Sequence, residues 1–149
     1  MTFAAVIVDT NVVVAGLISA DGASPVARIL DGMLSAAFPF VVSEALLAEY
    51  RTVLARPGVR SLHGLSIAQV ETILTDLARH AIVLAPATHE TAAVAPDTGD
   101  QFLWDLLAAR PDLVLITGDK LLLRQRAMRG QVISPRDFVD STGAGSKSG

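Results

Sequence analysis

Leu113-Val114-Leu115-Ile116-Thr117-Gly118-Asp119 reads as a buried strand that turns sharply at its carboxyl end into a helix. Four consecutive apolar residues present an apolar side chain to both faces of a sheet, so both faces need cover, as in a parallel α/β sheet. Residues 4–8 form a second short run of this kind, ending in Asp9-Thr10-Asn11. Further strands are expected at 38–42, 81–84 and 131–134. Between the strands lie helical segments at 11–18, 25–35, 44–55, 66–79, 100–110 and 120–128. Ser24 with Pro25, and Ser43, supply the cap chemistry of helix starts. Ser66 and Gln69 have the spacing of a capping box. Residues 58–65 read as a loop, 86–99 as a turn-rich connection, and Pro135 as the start of a final helical turn. Alternating strands and helices predict a three-layer α/β/α sandwich around a five-stranded, mostly parallel sheet. Residues 1–140 form one domain in this reading, with 141–149 as a flexible Gly/Ser-rich tail.

Composition narrows the class. A chain of 149 residues with 51% apolar content can bury one sizeable core. No apolar stretch approaches a membrane span, and the first residues lack a basic leader, so no membrane association and a cytoplasmic location are the expectations. Without cysteine there is no disulfide, thiolate metal site or cysteine nucleophile. The positive mean hydropathy is compatible with a surface shared with a partner.

The strand that opened this reading ends on an acid, and so does the first strand. Asp9 and Asp119 follow short buried strands, while Glu49 and Asp100 lie on or beside predicted helix starts. A parallel sheet gathers its strand ends and neighbouring helix starts along one edge, where distant residues converge. Four carboxylates at one edge repel each other unless a cation neutralises them, so a divalent metal is the first ligand to suspect. Each acid also has a plainer role open to it. Asp9 is either a turn or cap residue, or a ligand whose carboxylate Asn11 holds. Asp119 either caps the next helix or is a ligand, the Thr117 hydroxyl at the strand end is placed to orient a carboxylate, and Gly118 suggests a close approach or a positive φ. Glu49 lies on the flank of the stripe Leu46, Leu47, Tyr50, Val53 and Leu54, with no cation at helical spacing. Asp97 and Asp100 have the spacing of a cap and its third helical residue, and Asp97 reads as cap or outer ligand, Asp100 as inner ligand. Glu44, in a first helical turn, reads as structural. Asp105 is expected in solvent, and Trp104 in packing ahead of base stacking or a dimer contact.

Net charge is −3, yet Lys120, Arg124, Arg126, Arg129 and Arg136 follow one another without an intervening acid. Arg51, Arg56 and Arg60 form a second group after Glu49. Each arginine can be a solvated surface residue, but beside a metal both groups would be natural phosphate contacts. His63, His80 and His89 share no ligand spacing. No phosphate-loop, dinucleotide or serine-hydrolase motif occurs.

Taken in order, V-D-T-N, S-E-A-L-L-A-E-Y, P-D-T-G-D-Q-F-L and L-I-T-G-D-K-L-L resemble the PIN-domain ribonucleases, in particular the VapC-like toxins of toxin–antitoxin pairs. The likeness spans about residues 6–138. It implies a parallel five-stranded sheet between helices, with the acids meeting at its carboxyl edge. By motif it assigns Asp9, Glu49, Asp100 and Asp119 as catalytic acids and metal ligands, with Asn11 and Thr117 as polar supports; Asp97 remains the cap or outer metal ligand of the reading above. It also implies Mg²⁺ or Mn²⁺, hydrolysis of an RNA phosphodiester, a homodimer, and an antitoxin covering the acidic pocket. Lys120, Arg124 and Arg56 are the candidates to hold the RNA. Two positions depart from the pattern: Gly99 replaces a frequent acid, and Trp104 stands where a small residue is common. The alternatives are a PIN-like scaffold that binds RNA or protein without cutting, and a haloacid-dehalogenase-like phosphatase. The latter needs an acid two residues after its first Asp, where Asn11 cannot transfer a proton.

Overall fold

The structure, a computed structural model, describes residues 5–85, 101–124 and 131–142. Strands β1 (Ala5–Val8), β2 (Phe40–Val42), β3 (Ile82–Val83), β4 (Leu113–Ile116) and β5 (Val132–Ile133) form one sheet in the order β3-β2-β1-β4-β5. All neighbouring strands run parallel. The chain moves outward from β1 to β3, then resumes on the other side of β1 with β4 and β5. With right-handed crossovers, connections running in opposite directions lie on opposite faces, which gives three layers. Every residue of β1 and β4 is buried, as their uninterrupted apolar runs require.

Between β1 and β4 the strand order reverses, and a crevice opens there at the carboxyl ends. The register pairs Val8 with Ile116, so the next residues, Asp9 and Thr117, emerge side by side. This register turns two motifs more than 100 positions apart into neighbours.

Eight helices are described: α1 (Thr10–Ile18), α2 (Pro25–Leu34), α3 (Glu44–Leu54), α4 (Pro57–His63), α5 (Ile67–His80), α6 (Gln101–Leu107), α7 (Lys120–Leu123) and α8 (Pro135–Thr142). Ser24 and Ser43 accept hydrogen bonds from backbone N–H groups of the first turns they cap. Ser66 and Gln69 form the expected reciprocal capping box. On α3, Leu46, Tyr50 and Leu54 are fully buried, each contributing about 1.5–3 kcal/mol by leaving water.

Two expectations change. The loop expected at 58–65 is largely helix α4, because Pro57 sits at its first position, where its missing N–H costs nothing. Gly64 then ends it in the left-handed region, at φ 67°. At the carboxyl end, α8 is two turns long and takes in Ser141 and Thr142, which were assigned to the tail. Among the described residues, no helix is long and apolar enough to cross a membrane.

Candidate active site

Asp9 is the centre of a hydrogen-bond net at the β1/β4 edge. Its Oδ1 accepts from the Thr10 backbone N–H at 2.7 Å, and its Oδ2 accepts from the Thr117 hydroxyl at 2.7 Å. The Asn11 amide donates to the same Oδ2 at 3.3 Å. A carboxylate offers about four lone-pair sites, so these three bonds leave room for one further partner. Asn11 also bridges the two motifs: its Oδ1 accepts from the Gly118 N–H at 3.0 Å. Thr117 Oγ1 in turn accepts from the Asp119 N–H at 3.0 Å. Asp119 Oδ1 accepts from the Leu121 N–H at 2.9 Å and so caps α7.

The capping role considered for the strand-end acids is realised at both positions. Asp9 and Asp119 cap helices, and both face the same cavity. The Thr117 hydroxyl orients Asp9, across the sheet, and not the carboxylate of Asp119 nearby in sequence. Gly118 has no positive φ, and a Cβ there would lie 3.5 Å from Asn11 Oδ1, an ordinary contact. The glycine is not demanded by backbone geometry.

The third acid comes from α3. Tyr50, fully buried, donates its hydroxyl to the Val8 carbonyl, the strand-end acceptor just before Asp9. Burial, reinforced by the Asp9 charge, pushes that phenol above its ordinary range, so it stays protonated and donating. The bond joins α3 to the end of β1, and Glu49, next to Tyr50, lines the cavity with Asp9 and Asp119. Among the described residues no cation pairs with Glu49. The Asp9 carboxyl is held above its usual value, first by burial and further by the charges of Asp119 and Glu49. The Thr117 and Thr10 hydrogen bonds pull the other way.

These acids occupy one end of a cavity of about 590 Å³. Its walls are α1 and α3, with Val14, Ile18 and Val53 beyond the acids and Arg56 at the rim. At the acidic end the Thr10 hydroxyl is buried with no hydrogen-bond partner among the described residues. Hard oxygen donors, a spare lone pair on Asp9 and an orphaned hydroxyl suit a divalent cation in kind. As placed, however, no three acids or histidines among the described residues are grouped to hold an ion. Asp97, Asp100 and Gly99 lie outside the described residues.

Several sequence assignments are corrected. Asp105, expected in solvent, is buried and accepts from Gln101 Nε2 at 3.0 Å, because α6 turns that face inward. Trp104, by contrast, is fully buried and packs the core as expected. Arg51 leaves the phosphate-contact group: it pairs with Glu71 of α5 through two hydrogen bonds, at 2.9 and 3.2 Å. Lys120 and Arg124 are exposed beside Asp119, while Arg126 and Arg129 lie outside the described residues. His63 is tied to the Leu54 carbonyl and the Leu65 N–H, and so is structural. The sequence reading missed the aliphatic wall from α1. The signal was present, since α1 carries no charged residue on any face.

A family model described as PIN domain matches residues 5–121. No curated protein matches the chain.

Proposed function

The chain belongs to the PIN-domain family, whose members are in general nucleases, and from that premise we propose that it is a divalent-metal-dependent endoribonuclease. The observation that carries the reading is the meeting of Asp9, Glu49 and Asp119, from three separate segments, in one cavity at the sheet's carboxyl edge. Burial, and after it the charges of Asp119 and Glu49, raise the cost of ionising Asp9, a cost that a bound Mg²⁺ or Mn²⁺ would offset.

In this proposal Asp9, Glu49 and Asp119 hold the ion, together with Asp100 and Asp97 as further ligands. When bound, the metal supplies water activation and neutralises charge building on the phosphate. Asn11 and Thr117 keep the Asp9 carboxylate from rotating, so its free lone pair stays aimed into the cavity. Arg56, Lys120 and Arg124 hold the RNA by its phosphates. The motif resemblance supports the narrower reading, a VapC-like toxin acting as a homodimer and silenced by an antitoxin over the acidic pocket.

The test is cleavage of a defined RNA pool with Mn²⁺ added or chelated, beside the Asp9→Asn variant. Cleavage that needs the metal and disappears in the variant supports the proposal. Equal cleavage by Asp9→Asn refutes the assignment. A non-cutting scaffold is the alternative that the same assay separates. It predicts RNA binding with no cleavage under any divalent ion.

A further inference from the structure

We infer that the groove leading outward from the acids is a subsite for one unpaired nucleotide, whose base is met by Val14, Ile18 and Val53. The inference rests on the nuclease reading above and adds which part of the RNA the remainder of the cavity receives.

Asn11, Val14, Ala15 and Ile18 stand at i, i+3, i+4 and i+7 on α1, so they form one stripe along the helix. Across the groove, Glu49, Val53 and Arg56 follow at i, i+4 and i+7 along α3 and just past its end. Both stripes line the same cavity. Each starts on a polar residue near Asp9 and becomes aliphatic one turn outward. The α3 stripe then ends on Arg56, whose exposed guanidinium has no ion-pair partner among the described residues.

The seven-residue span of the α1 stripe rises about 10 Å, which limits the occupant to a single small unit. Its features in order are an end that takes a phosphate through a cation, an aliphatic middle and a free guanidinium. A nucleoside between two phosphates matches that order. The aliphatic walls remove a flat apolar face from water, and Arg56 meets the next phosphate. A base paired in a duplex is not free to enter a pocket between two helices, so the occupant is unpaired. An apolar peptide would contact the same walls but would leave Arg56 without an anion.

Binding is read by fluorescence anisotropy with a short labelled single-stranded RNA, and cleavage with Mn²⁺ on the same RNA. The base is removed at each position in turn, leaving ribose and phosphate intact. The expected result is a loss of about tenfold in binding and cleavage confined to one position beside the cut. Ala15→Phe, which fills the groove, produces a similar loss while Mn²⁺ affinity stays unchanged. If Ala15→Phe does not fold, Ile18→Ala reads the same contact by removing it. Cleavage that tolerates every base removal and the filled groove overturns the subsite and leaves the nuclease reading standing. Position-specific, base-dependent binding without cleavage keeps the subsite and overturns the nuclease reading. Absence of both binding and cleavage overturns both.

Discussion

The acids reach the cavity from two sides, the sheet edge and α3, and these two sides are built differently. At the β1/β4 edge, Asp9, Asn11, Thr117, Gly118 and Asp119 are joined by short hydrogen bonds across the sheet. On α3 and just past its end, Glu49 and Arg56 reach the same cavity with no ion-pair partner among the described residues. Two residues from Glu49, Arg51 is fully engaged with Glu71 on another face of the helix. Thus the segment from Glu49 to Arg56 pairs Arg51 with a neighbouring helix and leaves its two cavity-facing charges without an ion-pair partner among the described residues. The sheet edge fixes one carboxylate in advance, while α3 supplies groups free to adjust to what binds.

The comparison breaks most severely if Asp9 is dispensable. Asp9→Asn is expected to lower Mn²⁺-dependent RNA cleavage by at least about 100-fold, the upper range for a supporting residue alone. Steady-state cleavage assays check it, with far-UV circular dichroism to confirm the fold. A smaller but more discriminating effect separates the two sides. Thr117→Val removes the hydroxyl that donates to Asp9 and accepts from Asp119, and is expected to cost about 1–3 kcal/mol of stability. Glu49→Gln touches no such bond and does not lower the denaturation midpoint, although it weakens cleavage. Equal midpoints for the two variants would erase the distinction.

The pH dependence follows from the raised Asp9 carboxyl. The folded protein holds that proton more tightly than the unfolded chain, whose value is the ordinary 3.8. The stabilisation is complete below that ordinary value and is lost as pH rises through the raised folded one. Asp9 therefore contributes less to the stability of the metal-free protein at neutral pH than at mildly acidic pH. Thermal melts in chelator are expected to show Asp9's part of this slope, and to lose it in Asp9→Asn. The smallest effect belongs to the paired cation: Arg51→Ala leaves RNA cleavage at the wild-type rate, because Arg51 faces Glu71 and not the cavity.

Much of the edge was legible beforehand because it depends on local signals. Apolar runs of four marked β1 and β4, and Ser24, Ser43 and Ser66 marked helix starts by cap chemistry. The bond between Thr117 and Asp9 was not legible, because it depends on the register of Val8 with Ile116, a tertiary fact. The same limit hid the Arg51–Glu71 pair, whose partners lie 20 positions apart on two helices. Helix α4 was not legible in the stretch expected as a loop at 58–65, because the Pro57 before it is a residue that both stops helices and starts them, and only the chain that follows decides. Asp105 was misplaced because a buried carboxylate with a local donor, Gln101, resembles an exposed one in sequence. The PIN resemblance was legible from four motifs taken together, and the family match agrees with it over residues 5–121.

The central claim is that acids from both sides hold one divalent-cation site. Titration calorimetry of Mn²⁺ into the wild-type protein, Asp9→Asn and Glu49→Gln tests it most directly. Saturable binding by the wild type, abolished in Asp9→Asn and weakened in Glu49→Gln, is the predicted result. A wild-type protein that takes up no Mn²⁺, or variants that bind it as tightly, would contradict the account.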